Sequence, residues 1–327
     1  MTEKQAHVVL FALIFFLILS AAISLMIGPF GWTSPFGSMD SAHGRGIFQY
    51  RLCRVILTIA AGSSLAASGA SLQALFRNPL ADPHLFGISG GAALGAALVI
   101  GFLSEQGVIM PSAGAMVGGL IAFLLVFFYM QTAKGEGLGH CLLVGVLINS
   151  IAAALITLFK TILPAHKTQS LLFWLVGNIS VVPLHSLMLI IPLWLMGMTI
   201  LWLIKGELEI LSFGVEESRL LGINASRMIK IVIFANCILI GNVVAFAGMI
   251  GFLGLVVPHL VRLTVNHNLR IVLPMAAVSG AILLVLFDCV GRLSFFFLKS
   301  EIPTGALSAL FLSPLLFFLL IERVPHD

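Results

Sequence analysis

Long apolar runs recur along almost the whole chain, and they constrain its fold more than any other feature. They occupy residues 8–27, 55–76, 88–103, 113–130, 141–159, 187–204, 229–261, 271–298 and 304–321. A transmembrane helix needs about 20 predominantly apolar residues. Only 9% of the 327 residues are charged, against about 25% in soluble domains, and 60% are hydrophobic. The sequence therefore excludes a soluble or disordered chain and predicts an all-α, polytopic membrane protein.

The run at 229–261 is too long for one crossing. Its roughly 33 residues, at about 1.5 Å each, would extend about 50 Å, whereas the hydrocarbon core is about 30 Å thick. Glycines cluster near its middle, so we predict two spans that separate near Ala247–Gly251. The total is then about ten transmembrane helices in a single domain, 1–327. The short run Leu171–Val176 cannot cross a membrane, and we expect a re-entrant or interfacial helix there.

Lys and Arg are distributed unevenly between the two sides of the predicted membrane. With both termini in the cytoplasm, ten of the 17 Lys and Arg lie inside and seven outside. Cytoplasmic loops are usually richer in these residues, which favours this orientation. The outside group includes Arg51, Arg54 and Arg292. Because the net charge is only +4 and is scattered, the sequence does not indicate nucleic-acid binding.

Several motifs that carry enzymatic chemistry are missing from the sequence. No Gly-Lys dipeptide occurs, so the chain cannot form the Walker A loop that binds ATP. The nine His are dispersed and the four Cys have no C-x-x-C spacing, so we expect no metal site and no cofactor. The serines at 63–71 have no paired His or Lys in their span, which argues against an intramembrane protease. No catalytic residue is predicted.

Acidic residues are also scarce within the predicted spans, where only Asp288 lies well inside one. An ion-coupled secondary transporter, the alternative function, uses buried acids or broken-helix ion sites as relays. Asp288 precedes Arg292 by four residues, the favoured order for an ion pair on one helix face. An intramolecular ion pair near the membrane edge is therefore the expected role of Asp288.

Small residues fill the sequence AAGSSLAASGAS at 60–71, where eleven of twelve residues are Gly, Ala or Ser. Such a stripe lets helices approach closely, and it can equally line a wide, uncharged pathway. Both interpretations stay open, and Ser64, Ser68 and Ser71 are the pathway candidates. Asn78 follows at the cytoplasmic end of the second span, a position suited to a gate.

Charge is concentrated in the segment 206–230, which holds seven Asp, Glu, Lys or Arg residues. Val215–Leu221 can form a short helix that ends at Gly222, and Asn224 can cap the next helix. Two short amphipathic helices on the cytoplasmic side predict a docking surface for a partner. A merely solvated loop is the alternative.

Five segments occur along the chain in one order: QALFRNPLADPHLFGIS, GVEESRLLGI, GMIGFLGLVVPHLVRL, RIVLP and EIPTGALSALF. Together they resemble the iron-chelate and cobalamin permease family of ABC importers, from about 51 to about 322. The resemblance implies a type II importer permease in the bacterial inner membrane, embedded in lipid and paired with a second copy of itself. It also implies two separate ABC ATPase subunits and a periplasmic or lipid-anchored substrate-binding protein. The expected cargo is a ferric siderophore, haem or cobalamin, and an oxyanion such as molybdate stays open.

The resemblance also implies roles for individual positions. Arg51, Arg54 and Arg292 resemble the outer arginines that meet carboxylates on the binding protein. Asn78 resembles part of the inner gate. Gly137 and Leu138 fall near a second gate segment, where the hydroxyl residues of the family are absent. The region expected to couple the chain to the ATPase comprises Ser212, Val215, Glu216, Glu217, Arg219, Leu220, Leu221 and Gly222.

Overall fold

The computed structural model describes residues 3–28, 31–32, 42–103, 109–132, 138–179, 182–265 and 268–321. Thirteen α-helices dominate this part of the chain. They are α1 (Glu3–Met26), α2 (Ala42–Phe76), α3 (Ile88–Leu98), α4 (Ile109–Thr132), α5 (Leu138–Ile162), α6 (Ala165–Val176), α7 (Leu187–Leu203), α8 (Lys205–Leu211), α9 (Val215–Leu220), α10 (Ala225–Ala247), α11 (Leu253–Thr264), α12 (Leu269–Leu298) and α13 (Thr304–Ile321). A π-helical turn at Val99–Leu103 extends α3, and a two-residue antiparallel pair joins Ile27–Gly28 to Gly31–Trp32.

The described helices confirm an all-α, multi-spanning membrane protein. Seven of them are long and apolar enough to cross a membrane, and three shorter apolar helices lie at Ile88–Leu103, Leu253–Thr264 and Thr304–Leu319. Together these ten helices occupy the ten predicted spans. The second span begins earlier than its apolar run, because α2 starts at Ala42 with a more polar first part.

The predicted division of the 229–261 run is confirmed. Helix α10 ends at Ala247 and α11 begins at Leu253, with Gly248 and Phe252 in the left-handed region at φ 70° and 67°. The backbone between them is bound by protein, since Ser308 Oγ donates to the Gly251 carbonyl at 3.1 Å. Non-helical backbone at membrane depth is tolerated where protein groups satisfy it.

Helix α6 is longer than the predicted Leu171–Val176. It starts at Ala165 because the polar sequence AHKTQS forms its first half, which an apolar run cannot reveal. Its 12 residues extend only about 18 Å, too short to cross, as expected for a re-entrant or interfacial helix. Its C-terminus meets the start of α13, where Gly305 N donates to the Gly177 carbonyl at 2.9 Å.

The core of the described helices forms around α2, which packs against α7, α10, α11 and α12 and is 89% buried over its most apolar stretch. Its small residues bring backbones into contact. A Cβ at Gly62 would lie 2.9 Å from the Ala281 Cα, and one at Gly254 would lie 2.7 Å from the Leu65 carbonyl oxygen. Real Cβ atoms do not approach this closely. The 60–71 stripe therefore lets the helices pack closely.

Candidate functional site

The serines of the stripe are buried inside the chain. Ser64, Ser68 and Ser71 are each at most 1% exposed. Asn236 Nδ2 donates to Ser71 Oγ at 3.0 Å, which ties α2 to α10. In this conformation the stripe serves helix packing, and the pathway role of these three serines stays a prediction.

A buried cluster of charges lies where the first part of α2 meets the last part of α12. The predicted orientation places these parts of the two helices towards the outside of the membrane. The Asp288 carboxylate is held between two guanidinium groups, with Arg54 Nε 2.9 Å from its Oδ1 and Arg292 Nε 3.1 Å from its Oδ2. All three side chains are at most 4% exposed. The ion pair between Asp288 and Arg292 is the predicted one. The third member, Arg54, was not predicted to join them.

The arginines of this cluster also bind the end of α1. Arg292 Nη1 donates to the carbonyls of Ser24 and Ile27 at 2.8 Å and 2.6 Å, and Arg51 Nη1 donates to the Leu25 carbonyl at 2.9 Å. The last carbonyls of a helix have no partner within the helix, and a cation there is favourable. The arginines thus join α1 to α2 and α12.

Arg54 has one further carboxylate partner, which is more exposed than Asp288. Its Nη2 lies 3.0 Å from Glu301 Oε2, and the Glu301 side chain is 26% exposed. Arg51, Arg54 and Arg292 are all below 10% exposed, and each binds groups within the chain. Their docking of a binding protein stays a prediction, and in this conformation such docking would need partner exchange.

The region expected to contact the ATPase, 212–222, follows α8 and contains the short helix α9. Glu216, Glu217 and Arg219 on α9 are exposed, and Leu220 and Leu221 are 88% and 67% exposed. Ser212 and Val215 are half-buried where α9 meets the rest of the chain, and Ser212 Oγ donates to the Glu209 carbonyl at 2.6 Å. Exposed leucines beside charges are typical of a surface that binds a protein.

The predicted ends of these helices are confirmed. Gly222 follows α9 in the left-handed region at φ 79° and is exposed. Asn224 caps α10, since its Oδ1 accepts from Arg227 N at 3.0 Å. Glu216 and Arg219 form an exposed ion pair of 2.7 Å on α9. These caps define the end of α9 and the start of α10. The mostly exposed segment 216–222, here named the projection, lies on the side of the molecule where α2 and α11 end.

The loop after α2 begins at the surface and then returns into the chain. Asn78 is exposed, and its Oδ1 accepts from Leu80 N at 2.9 Å. Further along, His84 Nε2 lies 2.9 Å from the Ile250 carbonyl oxygen between α10 and α11. Asn149 of α5 donates from Nδ2 to the His84 carbonyl at 2.9 Å. The loop that carries the gate candidate therefore contacts both the break after α10 and α5.

Sequence reasoning missed the contacts of His84 and Asn149. Asn149 lies with Ser150 in an otherwise apolar stretch of α5, and polar side chains within a span are a usable signal. Of the second gate segment, Gly137 lies outside the described residues, and α5 begins at Leu138.

A polar face on α5 and α6 was also missed. Ser150, Thr157 and Thr161 are exposed and lie seven and four residues apart, which places them on one face of α5. On the next helix, α6, His166 and Gln169 are exposed as well. Polar residues within spans usually face a bundle interior or a water-filled cavity. This face is a candidate wall of a pathway, and its polar spacing within an apolar helix was the available signal.

Within the described ranges, no group of three or more His, Cys, Asp or Glu is arranged to hold a metal ion. The four cysteines are buried and unpaired.

Comparison with known proteins decides the family. The profile of the FecCD transport family matches residues 9–322. The chain belongs to the FecCD transport family. This FecCD chain is 32% identical over 308 residues to the vitamin B12 import system permease protein BtuC of Vibrio cholerae, covering 93% of this chain and 90% of the relative. It is 35% identical over 281 residues to the hemin transport system permease protein HmuU of Yersinia pestis, covering 84% and 82%.

A solved structure agrees with this assignment. The FecCD chain is similar to a metal-chelate type ABC transporter in an inward-facing conformation, with a TM-score of 0.84 and 31% identity, covering 98% of this chain and 100% of the other. The resemblance found from the five sequence segments is therefore confirmed. The chain is a multi-pass permease subunit of an ABC importer, a class that acts with ATPase and substrate-binding partners.

Proposed function

We propose that this chain forms half of the translocation pathway of a metal-chelate importer in the bacterial inner membrane. Ferric siderophore, haem and cobalamin are the candidate cargoes, and relatives named for vitamin B12 and hemin support that class. The observation that carries the proposal is the exposed projection at 216–222 on a membrane-embedded chain whose sequence has no Walker A loop. Such a chain needs an external ATPase, and the projection offers it a surface.

The assembly proposed here has two copies of the chain, two ABC ATPase subunits and one periplasmic or lipid-anchored binding protein. The polar face of α5 and α6 supports the second copy, because one chain leaves those hydroxyl groups exposed. Two such faces across a twofold axis would enclose a polar, uncharged pathway. We propose that 1–327 is a single permease domain, surrounded by lipid, that catalyses no reaction and holds no cofactor.

Reconstitution tests this function. Proteoliposomes that contain the chain, its ATPase and its binding protein should take up labelled chelate only with ATP inside, and uptake should persist when ion gradients are collapsed. Mass measurement of the purified complex should give two permease chains and two ATPases. Uptake driven by a proton or sodium gradient without the ATPase would favour the secondary transporter, and a stable 1:1 complex would contradict the dimer.

Docking of the binding protein at the outer arginines has its own test. Arg51→Gln should slow association of the binding protein about tenfold, a change worth about 1.4 kcal/mol, because on docking Arg51 would exchange the Leu25 carbonyl for a carboxylate of that protein, and interfacial charges act on association rates. The effect should shrink as salt rises. Arg51 is a better choice than Arg54, whose replacement breaks the buried contact with Asp288.

Surface plasmon resonance on the reconstituted complex at two salt concentrations measures the rate. Arg219→Gln, on the ATPase-facing projection, is the matched control. Equal rates for wild type and Arg51→Gln, with an unchanged thermal midpoint, would assign Arg51 to holding α1 alone.

A further inference from the structure

A polar cavity of about 250 Å³ lies where four elements of the chain meet. These are the end of α2 with its following loop, the end of α8, the end of α11 and the first residue of α12. The lining residues that bear on its chemistry are Gln73, Arg77, Asn78, Ser212, Arg262 and Leu269. The cavity therefore lies between the gate candidate Asn78 and the projection predicted to contact the ATPase.

Two arginines line this cavity, the exposed Arg77 and the half-buried Arg262. None of the described residues that line it is acidic. Among the described residues, Arg262 donates to neutral acceptors, the Gln73 side-chain oxygen and the Ala70 carbonyl at 3.3 Å. Arg77 forms no ion pair with any described residue. Two cations that share a cavity repel each other unless an anion lies between them.

Glu209, an acid three residues before Ser212, is already occupied. Glu209, whose carbonyl accepts from Ser212 Oγ, lies with its carboxylate 3.0 Å from Arg270 Nε. It is therefore held by a third arginine that does not line the cavity. The positive charge of the cavity thus remains uncompensated within the described residues.

The chemistry of the cavity rests on its guanidinium groups. Leu269, the first residue of the 30-residue helix α12, also lines the cavity, but this helix start is already capped, since Asn268 Oδ1 accepts from Arg270 N at 2.8 Å. Planar guanidinium groups bind phosphate oxygens in pairs, which an isolated ammonium group cannot do. The two guanidinium groups therefore suit a bound oxyanion such as phosphate rather than an apolar ligand.

We propose that this cavity binds a phosphate group, supplied either by free phosphate or by the headgroup of an anionic lipid in the inner leaflet. The bound anion would bridge Arg77, next to the gate candidate, and Arg262 at the end of α11. The bound anion would also lie beside Ser212, and would therefore hold the end of α8 close to the end of α2. The binding itself does not depend on the identity of the cargo or on the ATPase.

Two probes distinguish the sources of the phosphate. The full chain in a neutral detergent is titrated with inorganic phosphate at constant ionic strength, against chloride. The same chain is placed in nanodiscs of phosphatidylcholine alone or with phosphatidylglycerol. The thermal midpoint is measured in each case, and native mass spectrometry counts retained lipid. A saturable rise with inorganic phosphate indicates the free anion, and a rise only with phosphatidylglycerol indicates the headgroup.

Arg77→Gln is the decisive variant, because Arg77 is exposed and forms no ion pair with a described residue, so its replacement should leave the fold intact. We expect the apparent affinity for the effective probe to weaken about tenfold, as for loss of one charge-assisted hydrogen bond. Arg227→Gln is the control, since Arg227 is exposed on the same side and does not line the cavity. No response to either probe, or the same response in wild type and Arg77→Gln, would overturn the proposal.

Discussion

Asp288→Asn should lower the free energy of unfolding by about 3–5 kcal/mol, the cost of breaking a buried ion pair by removing one partner. The side chain keeps its shape but loses its charge. Arg54 and Arg292, both at most 4% exposed, then face each other across a neutral amide. Among the described contacts, Arg54 keeps only Glu301 as a carboxylate partner, and Arg292 keeps only neutral acceptors on Ser24, Ile27 and Cys289. The loss should loosen the joint among α1, α2 and α12.

The measurement is reversible unfolding in detergent or bicelles, followed by intrinsic fluorescence. Glu216→Gln is the matched control, because it also removes one acid from an ion pair with arginine. That pair has side chains 61% and 78% exposed, so its loss should cost under about 1 kcal/mol. Equal stabilities for Asp288→Asn and Glu216→Gln would mean that the buried cluster contributes nothing to the fold. Expression yield alone does not answer the question, since it also reflects insertion.

Charge reversal on α9 should uncouple transport from ATP hydrolysis. Glu216→Lys combined with Glu217→Lys places two cations beside Arg219 on a six-residue helix. If α9 docks on the ATPase, mismatched charges at that contact should reduce ATP-driven uptake at least tenfold, about 1.4 kcal/mol. The fold should survive, because both acids are exposed and neither binds the core.

Three measurements are needed on the same preparation: uptake, stimulation of ATPase activity, and recovery of the ATPase with the permease. Glu207→Lys is the control, because Glu207 is also an exposed acid but lies on α8, outside the 212–222 region. Normal uptake and normal ATPase stimulation in the double variant would remove α9 from the coupling contact. Loss of uptake in Glu207→Lys to the same degree would show a general effect of charge on this side.

Local patterns in the sequence predicted the local structure. The division of the 229–261 run follows from its length against the thickness of a membrane. The cap at Asn224 and the end of α9 at Gly222 follow from side-chain and backbone preferences that act over four residues. The ion pair between Asp288 and Arg292 follows from helix geometry alone. Each of these needs only neighbouring residues.

Features that depend on distant residues were not predictable in this way. Arg54 and Asp288 are 234 residues apart, and His84 contacts a carbonyl 166 residues away. No spacing rule connects such positions. The resemblance implied that the outer arginines meet carboxylates on a binding protein, a role that needs accessible side chains. The structure instead buries them, since the end of α1 supplies carbonyl groups that the sequence pattern does not show.

The central place of α2 has a consequence for how the chain is made. Translation completes α2 early, but the acid that neutralises Arg54 lies 234 residues further on. At about 5–20 residues per second, synthesis of that stretch takes roughly 10–50 s. Until Asp288 is made, the nascent α2 carries an arginine without its buried counter-ion. Its small-residue surface likewise has no packing partner until α11 and then α12 are made. Biogenesis of this permease therefore includes a period in which the lipid and the insertion machinery must stabilise α2, a helix that is central in the finished molecule.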